Sequence, residues 1–242
     1  MKTKKIFNIL CVFCLLVSLM GCEEMIFSCI RGNGIVVTEE QTISSDFNKI
    51  ANTGPFEVYI TQSSSYELTI EAEENLLPYI ITRISDDILE IKTRRNRCIR
   101  TTEPIIIYVS MPEICCLSLS GSGLFASDSI NTSYLELNIS GSGDIELGVS
   151  TEYIDANISG SGEIELWGTA EESEFTISGS GRFRCFDLEQ DICFANIPGS
   201  GSMYVYVNEL LDVMISGSGK VFYIGNPEVT ARISGSGEVV KY

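Results

Sequence analysis

Histidine is absent from this 242-residue sequence. Its absence removes the most common general base of enzymes and the most common protein ligand of zinc. Basic side chains are also scarce, with 16 lysines and arginines against 33 aspartates and glutamates. Because a surface of that charge repels phosphate groups, the composition argues against nucleic acid as a partner.

The first 21 residues are typical of a secretory signal peptide. Three lysines at positions 2, 4 and 5 precede an apolar run over 6–20, which is too short to span a bilayer. The run ends in Leu-Met-Gly-Cys at 19–22, which resembles the lipobox of bacterial lipoproteins. We predict that cleavage frees Cys22 as the new N-terminus and that acyl chains such as palmitate anchor it to a membrane. The alternative is a simple cleaved signal that leaves Cys22 unmodified.

Six cysteines follow the lipobox, and no two of them form a CxxC pair, which argues against a metal knuckle or a thioredoxin-type site. Cys115, Cys185 and Cys193 fall in apolar columns of the repeat described below, so we expect them to be buried thiols. An exported chain permits disulfides. Cys29 and Cys98 are the candidates, although the sequence alone does not fix the pairing.

A Gly-Ser-Gly phrase recurs through the second half of the chain, in steps of 20, 19, 19, 20, 18 and 18 residues. Such a constant step is the mark of a repeat architecture. The seven copies begin at residues 121, 141, 160, 179, 199, 217 and 235.

Aligned on the first glycine, every copy has apolar residues four and two positions before it and four positions after it. In the third copy these are Ala156, Ile158 and Ile164, and the positions between such columns are mostly polar. Alternation with period two indicates strands with one buried face. A strand rises about 3.3 Å per residue, so 19 residues suit one coil of two or three short strands. We therefore predict an all-β, single-stranded parallel β-helix with coils of about 19 residues. An antiparallel array of hairpins is the alternative fold.

Strict alternation between Ile158 and Ile164 places both Gly160 and Gly162 inward, at a corner with no room for a side chain. A phosphate-binding loop is a poor alternative, because no Lys-Ser or Lys-Thr follows the glycines and no helix begins there. Residues 34–112 carry strand patterns without the repeat, and residues 22–33 form a short tether after the lipid site.

The sequence resembles the head GIN domain family over residues 32–242. The resemblance rests on GNGIVVTE at 32–39, FNKI at 47–50, GPFEV at 54–58, EAEENLL at 71–77 and the serial Ser-Gly-Ser-Gly phrases. The family is described as the heads of autotransporter adhesins and is abundant among envelope lipoproteins of Bacteroides-like bacteria. The resemblance implies a right-handed β-helix over 34–242, with irregular strands over 34–112 and regular repeats over 113–242. It brings no catalytic residues with it.

Charged residues follow the glycines at outward positions of neighbouring copies. Without residues 1–21 the chain has 13 basic and 33 acidic residues and a net charge of −20, so a cation is a candidate ligand. Stacking would bring together Asp144, Glu146, Glu163 and Glu165. Calcium prefers such carboxylate ligands, so these four form a candidate calcium site. The favoured interpretation is a surface charge ladder that Arg182 and Arg184 partly neutralise.

Aromatic residues at or near outward positions are candidate ligand contacts: Tyr204, Tyr206 and Phe222. Such rings stack on sugar faces or meet a protein partner. Trp167, the only tryptophan, is expected to serve as a packing piece at a corner. The chain ends at Tyr242 within a coil, and an uncovered edge there would allow a homodimer.

These observations favour a lipid-anchored envelope protein with a non-enzymatic, adhesin-like or ligand-presenting role. The expected location is the outer membrane, and the acidic pair at 23–24 favours the cell surface over the periplasmic face. A structural envelope protein without an external ligand is the first alternative. A β-helix carbohydrate-active enzyme is the second, although the short, regular repeats provide no long insertion to wall a cleft.

Overall fold

A computed structural model describes residues 29–242, which are built almost entirely of β-strands. The signal peptide, the lipidation site Cys22 and the tether as far as residue 28 lie outside the described residues.

The strands run in chain order, with one 3₁₀ turn at Leu77–Tyr79 between the fifth and the sixth. They are β1 (Ile30–Arg31), β2 (Val36–Gln41), β3 (Lys49–Thr53), β4 (Glu57–Gln62), β5 (Glu67–Glu73), β6 (Ile80–Ser85), β7 (Ile88–Thr93), β8 (Ile99–Arg100), β9 (Ile106–Met111), β10 (Cys116–Gly121), β11 (Leu124–Gly141), β12 (Asp144–Gly160), β13 (Glu163–Ile177), β14 (Arg182–Ile197), β15 (Ser202–Ile215), β16 (Lys220–Ile224), β17 (Glu228–Ile233) and β18 (Glu238–Lys241).

The repeats stack as parallel coils, each in register with the next. Ile139 pairs with Ile158, and Ile158 pairs with Ile177. Every pairing among β10–β18 is parallel, which confirms the parallel β-helix and excludes the hairpin array. Each complete coil is one long bent strand of 14 to 18 residues.

The three apolar columns face the interior, as predicted. Their members are buried in the first six copies, and Ala156, Ile158 and Ile164 are at most 1% exposed. A buried aliphatic side chain contributes about 1.5–3 kcal/mol. Since the columns continue from coil to coil, they form one apolar spine along the axis of the solenoid.

The two glycines of the phrase have different roles, which corrects the prediction that both point inward. Gly162 is buried, and a Cβ on it would lie 2.8 Å from Ile139 Cγ2 of the preceding coil. Gly160 is only half-buried and has a φ of +145°, and its Cβ would lie 2.1 Å from the carbonyl oxygen of Gly141. The first glycine therefore lets consecutive coils approach along the axis. The second does the same, since its Cβ would lie 2.3 Å from the carbonyl oxygen of Gly143, and it also leaves inward space for an isoleucine.

The N-terminal strands do not stack in chain order. β3 lies between β7 and β10, and β4 lies between β9 and β11, so the later strands β7 and β9 lie one layer further from the repeats. The antiparallel strands β6 and β5 then pair with β7 and β9, and β2 pairs with β5. Strands of changed direction thus cover the N-terminal end of the spine.

These N-terminal strands and the loops between them, which we call the cap, are stabilised by a buried carboxylate. Glu73 is fully buried and accepts hydrogen bonds from the backbone N–H of Gly34 at 2.6 Å and from the N–H and hydroxyl of Thr102 at 2.9 and 2.5 Å. The hydrogen bonds from Thr102, joined by the one from Gly34, lower the pKa of Glu73 from 4.5 to about 2. The carboxylate therefore joins two loops that are distant in sequence.

The six cysteines of residues 29–242 divide into one disulfide and four thiols. Cys29 and Cys98 form a disulfide, which confirms the candidate pair. Cys185 and Cys193 are buried as predicted. Cys115 is only half-buried because it lies where the first coil meets the segment before β3. Its backbone N–H donates a hydrogen bond to the carbonyl oxygen of Asn48 in that segment.

The C-terminal end has no such cover within the described residues. β17 pairs only with β15 and β18 only with β16. Ile233 belongs to a column that is buried in the six preceding copies, yet it is 44% exposed. A homodimer through this edge stays a prediction. No helix in residues 29–242 is long and apolar enough to cross a membrane.

Replacing Ile158 by Asp tests the apolar spine. A buried, unpaired carboxylate costs at least about 3 kcal/mol, so we expect loss of the cooperative thermal transition in circular dichroism. Ser159→Asp is the matched control, since Ser159 is exposed one residue away. An Ile158→Asp protein that melts like the control would contradict the stacked core.

Replacing Glu73 by Gln tests the cap through its pH dependence. The folded-state pKa lies below the ordinary value, so the carboxylate stabilises the fold above pH 4.5 and this contribution is lost as the pH falls towards 2. We expect the variant to melt at a lower temperature at pH 7, with the difference shrinking between pH 4.5 and 2. Glu40→Gln, on an exposed position of β2, should show no such trend. A difference that stays constant with pH would contradict this role of Glu73.

Candidate functional site

Two outward positions recur in each copy, three and five residues after the first glycine of the Gly-Ser-Gly phrase. They form two columns along one face of the solenoid, which we call the outer face. The register confirms their alignment, since Asp144 pairs with Glu163 and Glu163 with Arg182. The column at position five continues from Glu165 through Arg184 to Tyr204. Acidic, basic and aromatic side chains therefore follow one another along the axis.

The four predicted calcium ligands lie together on this face. Asp144, Glu146, Glu163 and Glu165 line one recess of about 220 Å³, with Ser161 at its side. Partial burial raises the pKa of Glu146, and the charges of Glu165, Asp144 and Glu163 raise it further. The sequence alignment thus placed these carboxylates correctly.

The two arginines of the next coil both bind Glu163. Nη1 of Arg182 lies 2.8 Å from one carboxylate oxygen, and Nε of Arg184 lies 2.7 Å from the other. Within residues 29–242 no group of three or more Asp, Glu, Cys or His side chains is arranged to hold a metal ion. This geometry agrees with the charge ladder, and the calcium site stays a prediction.

The predicted aromatic contacts separate into a pair and a single residue. The rings of Tyr204 and Phe222 are stacked, with centroids 5.0 Å apart and planes 12° apart. Tyr206 lies two residues further along β15, where it pairs in register with Ile224. Phe186 packs edge-on against Tyr204, at 5.5 Å and 87°.

A larger recess of about 490 Å³ lies beside this aromatic pair. Two of its residues, Phe186 and Asp187, were not predicted from the sequence. Its lining consists of Glu165, Arg182, Arg184, Phe186, Asp187 and Tyr204.

Phe186 and Asp187 belong to an irregularity of β14. Cys185 pairs with Val205, and Glu189 pairs with Tyr206. At this corner β14 therefore has three residues more than β15. The alternation of buried positions breaks there, which is why the aligned columns did not reveal the recess. The available signal is the longer step of 20 residues between the copies at 179 and 199.

Trp167 packs against Gly148 of the neighbouring coil at this corner, but part of its ring is exposed. It is 36% exposed and lines a third recess of about 300 Å³ together with Tyr59, Ala126 and Glu146. Its register partners are Gly148 and Asp187, and a Cβ on Gly148 would lie 2.7 Å from its indole nitrogen. The glycine of the neighbouring coil therefore leaves room for the indole to pack over it.

A second aromatic pair lies outside these recesses. Tyr134 and Tyr153 are stacked at 5.8 Å, and the Tyr153 hydroxyl donates a hydrogen bond to Glu174. Burial, together with Glu174, raises the pKa of Tyr153 to about 12. These phenols therefore stay neutral at physiological pH.

The repeat, the columns and the capped end agree with one protein family. The family described as "Putative auto-transporter adhesin, head GIN domain" matches residues 46–227. The chain belongs to this family. Its description names an adhesin and no enzymatic activity.

Solved structures of other proteins show the same fold. A putative adhesin from Bacteroides fragilis is 21% identical, with a TM-score of 0.81 over 88% of this chain and 100% of that one. A protein from Parabacteroides distasonis described as a putative lipid binding protein is 30% identical, with a TM-score of 0.75 over 88% of this chain and 99% of that one. A putative adhesin from Parabacteroides merdae is 24% identical, with a TM-score of 0.73 over 88% of this chain and 98% of that one. No curated protein matches the sequence.

Adding calcium distinguishes the charge ladder from a metal site. Since both oxygens of Glu163 already bind arginines, we expect millimolar calcium to leave the melting temperature unchanged relative to EDTA. An increase of several degrees that Glu163→Gln abolishes would instead establish a calcium site. Glu152→Gln is the control, because Glu152 is exposed and does not line this recess.

Proposed function

We propose that this head GIN protein is a lipid-anchored envelope protein that acts as a non-enzymatic, adhesin-like module and presents a ligand-binding surface. Its family is described as adhesin heads. The observation that carries the proposal is the outer face, where charged and aromatic side chains are held in register on a rigid stack of coils.

The architecture favours contacts on the outside of the solenoid. The inward columns are filled by buried apolar side chains, so a ligand has to meet the outward positions. Equivalent outward positions recur at each coil, about 4.8 Å apart. Many individually weak contacts along such a ladder add up to firm attachment when a ligand is itself repetitive.

The anchor rests on the sequence before the described residues. The lipobox-like Leu-Met-Gly-Cys supports acylation of Cys22, and the acidic pair that follows supports export to the cell surface. Acylation would hold the solenoid on the outer membrane without a spanning helix. A periplasm-facing lipoprotein is the alternative location.

The two rival functions differ in what they require of the outer face. A structural envelope protein needs no external ligand, and a carbohydrate-active enzyme needs an acid and a base placed on opposite sides of a scissile bond. On the outer face both carboxylate oxygens of Glu163 bind arginines, so this side chain is not free to act as an acid or a base. That arrangement favours binding over bond cleavage.

Protease treatment of intact cells tests the proposal. An adhesin has to face outward, so we expect the protein to disappear from whole cells treated with proteinase K while a periplasmic marker stays intact. Cys22→Ser should release the chain from the membrane fraction. A protein that is digested only after lysis would contradict the adhesin role and favour the periplasm-facing alternative.

A further inference from the structure

Three recesses lie next to one another along the outer face. The recess at Tyr59 and Trp167 shares Glu146 with the acidic recess, and the acidic recess shares Glu165 with the recess at Tyr204. Their volumes are about 300, 220 and 490 Å³. We call this row of neighbouring recesses the axial groove, because it follows the solenoid from coil to coil.

The axial groove is long enough for an extended ligand. Tyr59 and Tyr204 lie in the same column, five coil steps apart through Ala126, Glu146, Glu165 and Arg184. At about 4.8 Å per step, the two tyrosines are about 24 Å apart. A single small molecule would fill only part of that length.

Aromatic rings lie at both ends of the axial groove. At one end Tyr204 and Phe186 are perpendicular to each other at 5.5 Å. At the other end Tyr59 is 37% exposed, and Trp167, which is 36% exposed, lies between the two ends, one coil from Asp187. Rings that are flat, partly exposed and rigidly held offer platforms for apolar faces of a ligand.

The middle of the axial groove is polar but unsuited to an anion. Arg182 and Arg184 direct their charge to Glu163, while Glu146, Glu165 and Asp187 also line the groove. Carboxylates therefore outnumber guanidinium groups. The carboxylates accept hydrogen bonds from hydroxyl groups of a ligand. The arginine N–H groups that do not bind Glu163 can donate hydrogen bonds to the same kind of hydroxyl group.

A peptide is poorly matched to this location. Extended peptides are commonly bound by adding a strand to the edge of a sheet, where backbone groups are unpaired. The axial groove lies on the face of a parallel sheet, whose backbone N–H and C=O groups already pair between coils. A ligand that brings hydroxyl groups rather than backbone amides suits this surface.

We propose that the axial groove binds an extended, uncharged oligosaccharide that lies along the solenoid axis, with sugar rings packed against Tyr204 and Phe186 at one end, against Trp167 in the middle and against Tyr59 at the other end. The inference rests on the proposed ligand-presenting function and names the ligand class and the site. The carboxylates and arginines between the ends hydrogen-bond the sugar hydroxyls.

Trp167 provides the direct readout, because it is the only tryptophan in the sequence. Detergent-solubilised full-length protein is titrated with cellohexaose, maltohexaose, mannohexaose and xylohexaose, and its fluorescence is followed. We expect a saturable change with at least one of these, and affinity at least about tenfold weaker for the trisaccharide of the same linkage, which cannot reach both ends. Oligogalacturonate and oligolysine are the anionic and cationic comparisons.

Variants at the far end of the axial groove test its continuity. Tyr204→Ala removes a platform about 24 Å from Tyr59, and we expect about tenfold weaker binding reported by the Trp167 fluorescence. Asp187→Asn, at an exposed position, should weaken binding with little effect on folding. Tyr134→Ala is the matched control, since Tyr134 is an exposed aromatic residue outside the groove. Unchanged melting temperatures would show that the variants are folded.

Three results would overturn the proposal. The first is no saturable change in fluorescence with any uncharged hexasaccharide, and the second is binding of oligogalacturonate or oligolysine alone. The third is wild-type affinity for the hexasaccharide in both Tyr204→Ala and Asp187→Asn. These results are separate from the protease test on cells. A protein that faces outward but fails the titration would keep its proposed function and lose this site. A protein that binds the hexasaccharide but is shielded in intact cells would keep the site and lose the adhesin role.

Discussion

The whole molecule depends on one contact, the parallel stacking of each coil on its neighbour without a shift in register. Hydrogen bonds between coils place Ile158 directly between Ile139 and Ile177, and so continue the apolar spine. The glycines make this approach possible. A Cβ on Gly160 would lie 2.1 Å from the carbonyl of Gly141, and one on Gly181 would lie 2.5 Å from Ile158 Cγ2. Shape at the corner, and not ligand binding, therefore accounts for the repeated phrase.

The same stacking creates the outer face. A fixed register carries every outward side chain to the same lateral position, so the sequence of one column becomes a line along the axis. Glu165, Arg184 and Tyr204 are far apart in the chain but adjacent on this line. A mutation that shifted the register of one coil would therefore displace the groove as well as the core.

The sequence predicted the regular part of the fold well because its signal is repeated. Seven aligned copies defined the inward columns, the parallel coils and the four neighbouring carboxylates. The order of the N-terminal strands could not be predicted from the sequence. β3 and β4 lie between the repeats on one side and strands that come later in the chain, β7 and β9, on the other. The role of Gly160 was missed because strict alternation fails where the backbone turns. The recess at Phe186 lies at a corner where β14 has three residues more than β15, so the aligned columns did not extend to it.

The two ends of the solenoid are built differently. The N-terminal end carries antiparallel strands, a disulfide and the buried Glu73, whereas β17 and β18 leave the last members of the apolar columns exposed. In a stack whose layers touch only their neighbours, opening spreads one layer at a time from the least protected end. Thermal fraying should therefore travel from the C-terminal coils towards the cap. Amide protons near Ile233 should exchange first, and those near Ile50 last.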